Sequence, residues 1–110
     1  MRTLKFIVDG QTIMLDPNCD FSGLVPGTEG YLRAEFTFLS PDWNNCIRVA
    51  TFHSVMGKEY QPQPLVGGKL CKIPREALKR KTFKVAVIGK SGDFKITTNK
   101  IAVQQNGGKT

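Results

Sequence analysis

The segment YLRAEFTFL, residues 31–39, constrains this chain more than any other. Leu32, Ala34, Phe36 and Phe38 fall on one phase of a two-residue period, and Tyr31, Arg33, Glu35 and Thr37 on the other. An extended strand with one buried face is the structure that sends alternate side chains to opposite sides in this way. The same period returns in TFKVAVIG, where Phe83, Val85 and Val87 oppose Lys84, Ala86 and Ile88. Both apolar sets are expected in one core.

Other strands are marked by their turns. LKFIV and QTIML flank Asp9-Gly10, a hairpin signal because a type I′ turn needs positive φ at its two central residues. DPNCDFSGLVPGTEG then reads as a long loop between sheets. SPDWNN is a turn leading into the strand CIRVATF, where Cys46, Ala50 and Phe52 oppose Ile47 and Val49, so that its outer face is ambiguous. In EYQPQPL, Pro62 and Pro64 lack the N–H of a central ladder, which confines this run to an edge. VGGKLCKI gives a turn and a short strand. PREALKRK is the one helix expected, two turns near residues 74–80, with Pro74 at its start and Lys79, Arg80 and Lys81 at its end. FKITT and KIAVQQ complete the chain. The pattern that follows is all-β, seven or eight strands with one short helix, arranged as an antiparallel β-sandwich or a small barrel, of which the sandwich is preferred. Residues 1–105 form a single domain, and 106–110 are expected to be a flexible tail.

A chain of 110 residues with 40% hydrophobic content can bury one core without disulfides or metals. Cys19, Cys46 and Cys71 are odd in number and widely spaced, so they read as reduced thiols, with Cys46 and Cys71 as small core residues. No run has the length of a membrane span or the apolar block of a secretion signal.

Charge is unevenly placed. Residues 1–66 carry five Lys/Arg and seven Asp/Glu; residues 67–110 carry eleven Lys/Arg and two acids, a net +9. Such asymmetry favours an anionic partner. The basic residues admit a nucleic-acid surface over residues 79–100, a patch for an acidic protein or glycan, or solvated strand and turn positions. Single-strand binding wants aromatic platforms beside the charge, and Phe83 and Phe94 are expected in the core instead. The solvated reading is preferred. Trp43, among polar neighbours, is either an exposed binding aromatic or a plug at the end of the sandwich, and the plug is preferred.

Catalytic signals are sparse. His53 is the sole histidine and lies at the end of an apolar strand. Cys19, Cys46, Cys71 and His53 lack the close pair that zinc sites use, and the glycine-rich runs match no phosphate-binding motif. Neither enzyme activity, metal nor cofactor is expected.

A family resemblance covers residues 43–103. Its positions are Trp43, Val49-Ala50 and Phe52, then Cys71, Ile73 and Pro74, Glu76 and Leu78, Val85, Val87 and Gly89, and finally Ile96, Thr98 and Asn99. This layout resembles small Ig-like β-domains encoded among the structural genes of tailed phages and prophages of Gram-positive bacteria, including amino-terminal domains of baseplate and minor tail proteins. The resemblance implies an Ig-like sandwich acting as a virion, tail or decoration module. Its partner would be a protein, another virion component or a second copy of itself, met in the virion or the host cytoplasm. Candidate partner-binding residues are Trp43, Arg75, Lys79, Arg80, Lys81 and Lys84. The alternative is a small basic barrel that binds nucleic acid through residues 79–100.

Overall fold

In the computed structural model, which describes residues 1–106, the alternating segments become strands. The expected tail falls, apart from Asn106, outside the described residues. The chain forms an all-β sandwich of two sheets, with nine strands among the described residues rather than seven or eight. The first sheet has the order β2 (Thr12–Leu15), β1 (Arg2–Asp9), β3 (Leu32–Phe38) and β6 (Leu70–Lys72). The second has the order β5 (Gln63–Pro64), β4 (Ile47–Ser54), β7 (Thr82–Lys90) and β8 (Lys95–Thr97), with β9 (Ile101–Gln104) also on β7.

One pairing departs from the antiparallel pattern. β1 and β3 run parallel, from Arg2 opposite Leu32 to Val8 opposite Phe38. Parallel neighbours need a crossover rather than a hairpin; the long loop over residues 16–30 supplies it, joining β2 to β3 within the first sheet rather than passing between sheets as the sequence suggests. The β1–β2 turn also differs in detail. Asp9 pairs with Thr12, so the turn residues are Gly10 and Gln11, and only Gly10 has positive φ, at 59°. That matches a type II′ turn, which needs glycine at the first central position alone.

The buried faces are those the alternation marks. Leu4, Phe6 and Val8 of β1 and Leu32, Ala34 and Phe36 of β3 meet Ala50, Phe52, Phe83, Val85 and Val87 of the second sheet. Phe6 and Phe36 stack with ring centroids 5.2 Å apart. Helix α1 (Arg75–Leu78) is a single turn rather than two. A helix so short is held by packing, not propensity, and Ala77 and Leu78 are both fully buried. Leu65 donates to the Arg48 carbonyl, extending the β5–β4 ladder before the chain leaves for β6, and across the two sheets Ile13 of β2 donates to Asn99 Oδ1 between β8 and β9. No helix among the described residues is long and apolar enough to cross a membrane.

Two core assignments change. Cys71 is buried, and burial pushes its thiol up to about 12. Cys46 is only half-buried because it lies before the first β4 residue, its thiol 3.6 Å from the Asp42 carbonyl. Phe94 is 48% exposed. It shares the phase of Ile96 but sits beyond the last ladder pair, Lys90 with Lys95, in a turn closed by Ser91 N–H to the Phe94 carbonyl.

Candidate functional site

The candidate residues do not converge. Trp43 ends a 3-10 turn (Pro41–Trp43) and is completely buried, which removes it from any partner surface. Its indole donates to the Gly10 carbonyl at 2.8 Å, and its ring leans on Phe38 with centroids 5.0 Å apart. Gly89 makes room for it: a Cβ at that position would lie 2.6 Å from Trp43 Cζ3. The plug reading of Trp43 is the one the packing supports. Arg48 locks this end, donating to the Trp43 carbonyl through Nε and Nη2 and to the Gly68 carbonyl through Nη1, with its guanidinium 4.2 Å from the Phe38 ring centroid. An arginine so engaged is structural, although it occupies the apolar phase of its strand.

Lys79, Arg80 and Lys81 sit near the opposite end. β7 separates Lys81 from Gly89 by eight residues, about 26 Å at strand rise. All three are exposed at the surface turn after α1. Gln105, fully buried, fastens this turn from beneath: its side-chain amide donates to the Leu78 and Arg80 carbonyls, and its backbone N–H donates to the Lys81 carbonyl. Their backbone is thus drawn inward while the charged heads stay in water. Beside them is a concavity of about 440 Å³ bordered by Lys58, Tyr60, Arg80, Lys81 and the apolar turn residues Val55 and Met56. Arg75 faces Glu29 at 3.7 Å with both side chains more than half exposed, a pair worth at most about 1 kcal/mol.

Lys84 belongs to a different surface, the outer face of the five-stranded sheet. Residues directly opposite in an antiparallel ladder share a face, and the register lays this face out in rows. Ile47, Lys90 and Lys95 form one row; Pro64, Val49, Ile88 and Thr97 form the next. Thr51 and Ala86 follow, then His53, Lys84 and Ala102. Thr51 is small and lies low, while Ile47 stands 75% exposed. The result is a concavity of about 650 Å³ lined by Ile47, Val49, Thr51, Ile88, Pro62 and Lys90, with Glu59 at its border. Sequence reading missed it, because alternation could not decide which side of CIRVATF was buried.

His53 is integrated into the same sheet. Its Nε2 lies 2.9 Å from Thr51 Oγ1, which itself donates to the Ala86 carbonyl. Burial first, and then the positive charge of Lys100, hold the histidine below its ordinary pKa against an opposing pull from Glu59. No group of three or more His, Cys, Asp or Glu side chains suited to a metal ion occurs among the described residues.

Comparison with protein families, with curated proteins and with solved structures finds no match to this chain.

Proposed function

We propose that this chain is a non-enzymatic structural or binding module of phage type, a virion, tail or baseplate accessory that works through protein–protein contacts in the virion or the host cytoplasm. The observation that carries the binding reading is the outer face of the five-stranded sheet. It presents Ile47, Val49 and Ile88 around an open hollow, and a concave apolar patch with a polar rim is the usual form of a recognition surface. The phage assignment rests on the resemblance over residues 43–103. The non-enzymatic reading is supported by how the reactive side chains are used. His53 is spent on Thr51 inside the sheet, and burial keeps the Cys71 thiol in its protonated, unreactive form.

Particles purified on a density gradient from cells encoding this chain should carry it in stoichiometric amounts by quantitative mass spectrometry. Its recovery only in the particle-free fractions would contradict the virion assignment.

Nucleic-acid binding through residues 79–100 is the second reading, and one observation favours it: Phe94 is exposed beside Lys95 rather than buried. A single aromatic is a small platform. Single-strand grooves stack successive bases on several, and the hollow on the sheet face is lined by aliphatic side chains.

A further inference from the structure

We propose that the outer face of the five-stranded sheet docks an acidic protein segment, which seats one apolar side chain between Ile47, Val49 and Ile88 and sets its carboxylates against Lys90 and Lys95. This inference rests on the protein-binding reading above and names the chemistry of the partner.

Shape and charge point to the same occupant. Thr51 lines the hollow with a short side chain, and Ile47, Val49, Ile88 and Pro62 wall it in. A hollow of about 650 Å³ lies within the size range of pockets that hold a discrete ligand group, roughly 300–1,000 Å³. Apolar anchors of partner proteins enter such pockets and carry much of the binding energy. Lys90 and Glu59 both line the hollow, and the sheet face beside it carries further lysines. Lys90 and Lys95 face each other across the β7–β8 ladder, and Lys84 lies two rows below Ile88. Among the described residues, the one carboxylate within 4.0 Å of any lysine or arginine nitrogen is Glu29, at Arg75. Glu59 at the border and Asp93 in the adjoining turn therefore leave these lysines without an ion-pair partner. An incoming carboxylate would be complementary to them, which steers association and suppresses wrong partners.

Two other modes of engagement fit less well. A second copy would bring lysine rows against lysine rows on a chain of net charge +7. Strand addition at the β5 edge is obstructed, since Pro62 and Pro64 have no N–H to offer.

The test is selection of random displayed peptides against the full chain, followed by anisotropy titration of the selected peptides. Two variants serve as controls, Ile47→Asp and the pair Lys90→Glu/Lys95→Glu. All three positions are exposed, so folding should persist and is checked by thermal melting. The expected result is enrichment of peptides with Asp and Glu around one large apolar residue. Their binding should be about tenfold or more weaker to either variant, a loss typical of hot-spot contacts, and weaker at high salt. Enrichment of neutral or basic peptides, binding that both variants retain, or no peptide above background would overturn the proposal. So would wild-type self-association abolished by Ile47→Asp. Should the Ile47→Asp chain still enter particles as the wild type does, the acidic-segment proposal fails while the virion reading stands. Absence of the wild type from particles strikes the virion reading instead.

Discussion

Replacing Trp43 by alanine is expected to destabilise the protein by about 3–5 kcal/mol, the range for large buried aromatics truncated to alanine. The side chain is fully buried at one end of the sandwich. Its removal would empty a site shaped around it by Gly89 and Phe38. It would also leave the Gly10 carbonyl without its indole donor. Domains of this size are typically stable by about 5–15 kcal/mol, so the variant should unfold at a much lower urea concentration. Trp43→Phe should lose less, since most of the packing returns and the missing hydrogen bond is worth roughly 1 kcal/mol net. A Trp43→Ala loss below about 1 kcal/mol would fit a surface residue and would return Trp43 to the list of binding aromatics.

Phe36→Ala should cost a similar amount, about 3–5 kcal/mol, for a different reason. Phe36 lies in β3, flanked by β1 and β6. Its ring stacks on Phe6 at 5.2 Å and lies 6.5 Å from Phe38. Backbone pairing on both sides keeps β3 from collapsing into the gap, so the upper part of the range is expected. The urea midpoint should fall with the slope of the transition unchanged, because the variant loses packing and not compactness. A loss of stability under about 1 kcal/mol would show that the face had been misassigned.

Those two residues also mark what the sequence could and could not reveal. Phe36 was legible because a strand exposes its own period locally: Leu32, Ala34 and Phe36 repeat every second position whatever they pack against. Pro62 and Pro64 were legible for the same local reason, and β5 is indeed an edge. Trp43 needed more than local pattern, since its burial depends on Gly89 of β7 and Gly10 of the β1–β2 turn, both distant in the chain. The parallel β1–β3 pairing is equally non-local, for alternation fixes which face is buried but not which neighbour a strand takes. Phe94 shows where periodicity misleads. Its phase points inward, yet the strand has ended and no core lies beneath it.

The candidate site was less legible than the fold. Counting charges drew attention to Lys79, Arg80 and Lys81, and the structure shows them as a surface turn tied down by Gln105. The hollow beside Ile47 is lined from two paired strands, by Ile47, Val49 and Thr51 of β4 and Ile88 and Lys90 of β7, and a linear pattern cannot show that residues so far apart in the chain meet. Arg48 illustrates the converse. A charge on the apolar phase argues against a buried strand end, yet three hydrogen bonds to backbone carbonyls and one ring contact make that position comfortable for a guanidinium.

Whether the basic half serves proteins or nucleic acid is decided most directly by oligonucleotide anisotropy over a range of salt concentrations, with the wild type and a Lys79→Ala/Arg80→Ala/Lys81→Ala variant. A nucleic-acid surface loses affinity linearly on a log–log salt plot, with a slope of about −0.7 per phosphate neutralised on a single strand. A protein-binding module predicts only weak oligonucleotide binding near physiological salt, and a triple variant that melts as the wild type does, since exposed charges contribute within about 0.5 kcal/mol. Sub-micromolar binding of DNA or RNA at that salt, with a steep slope that flattens in the triple variant, would contradict it.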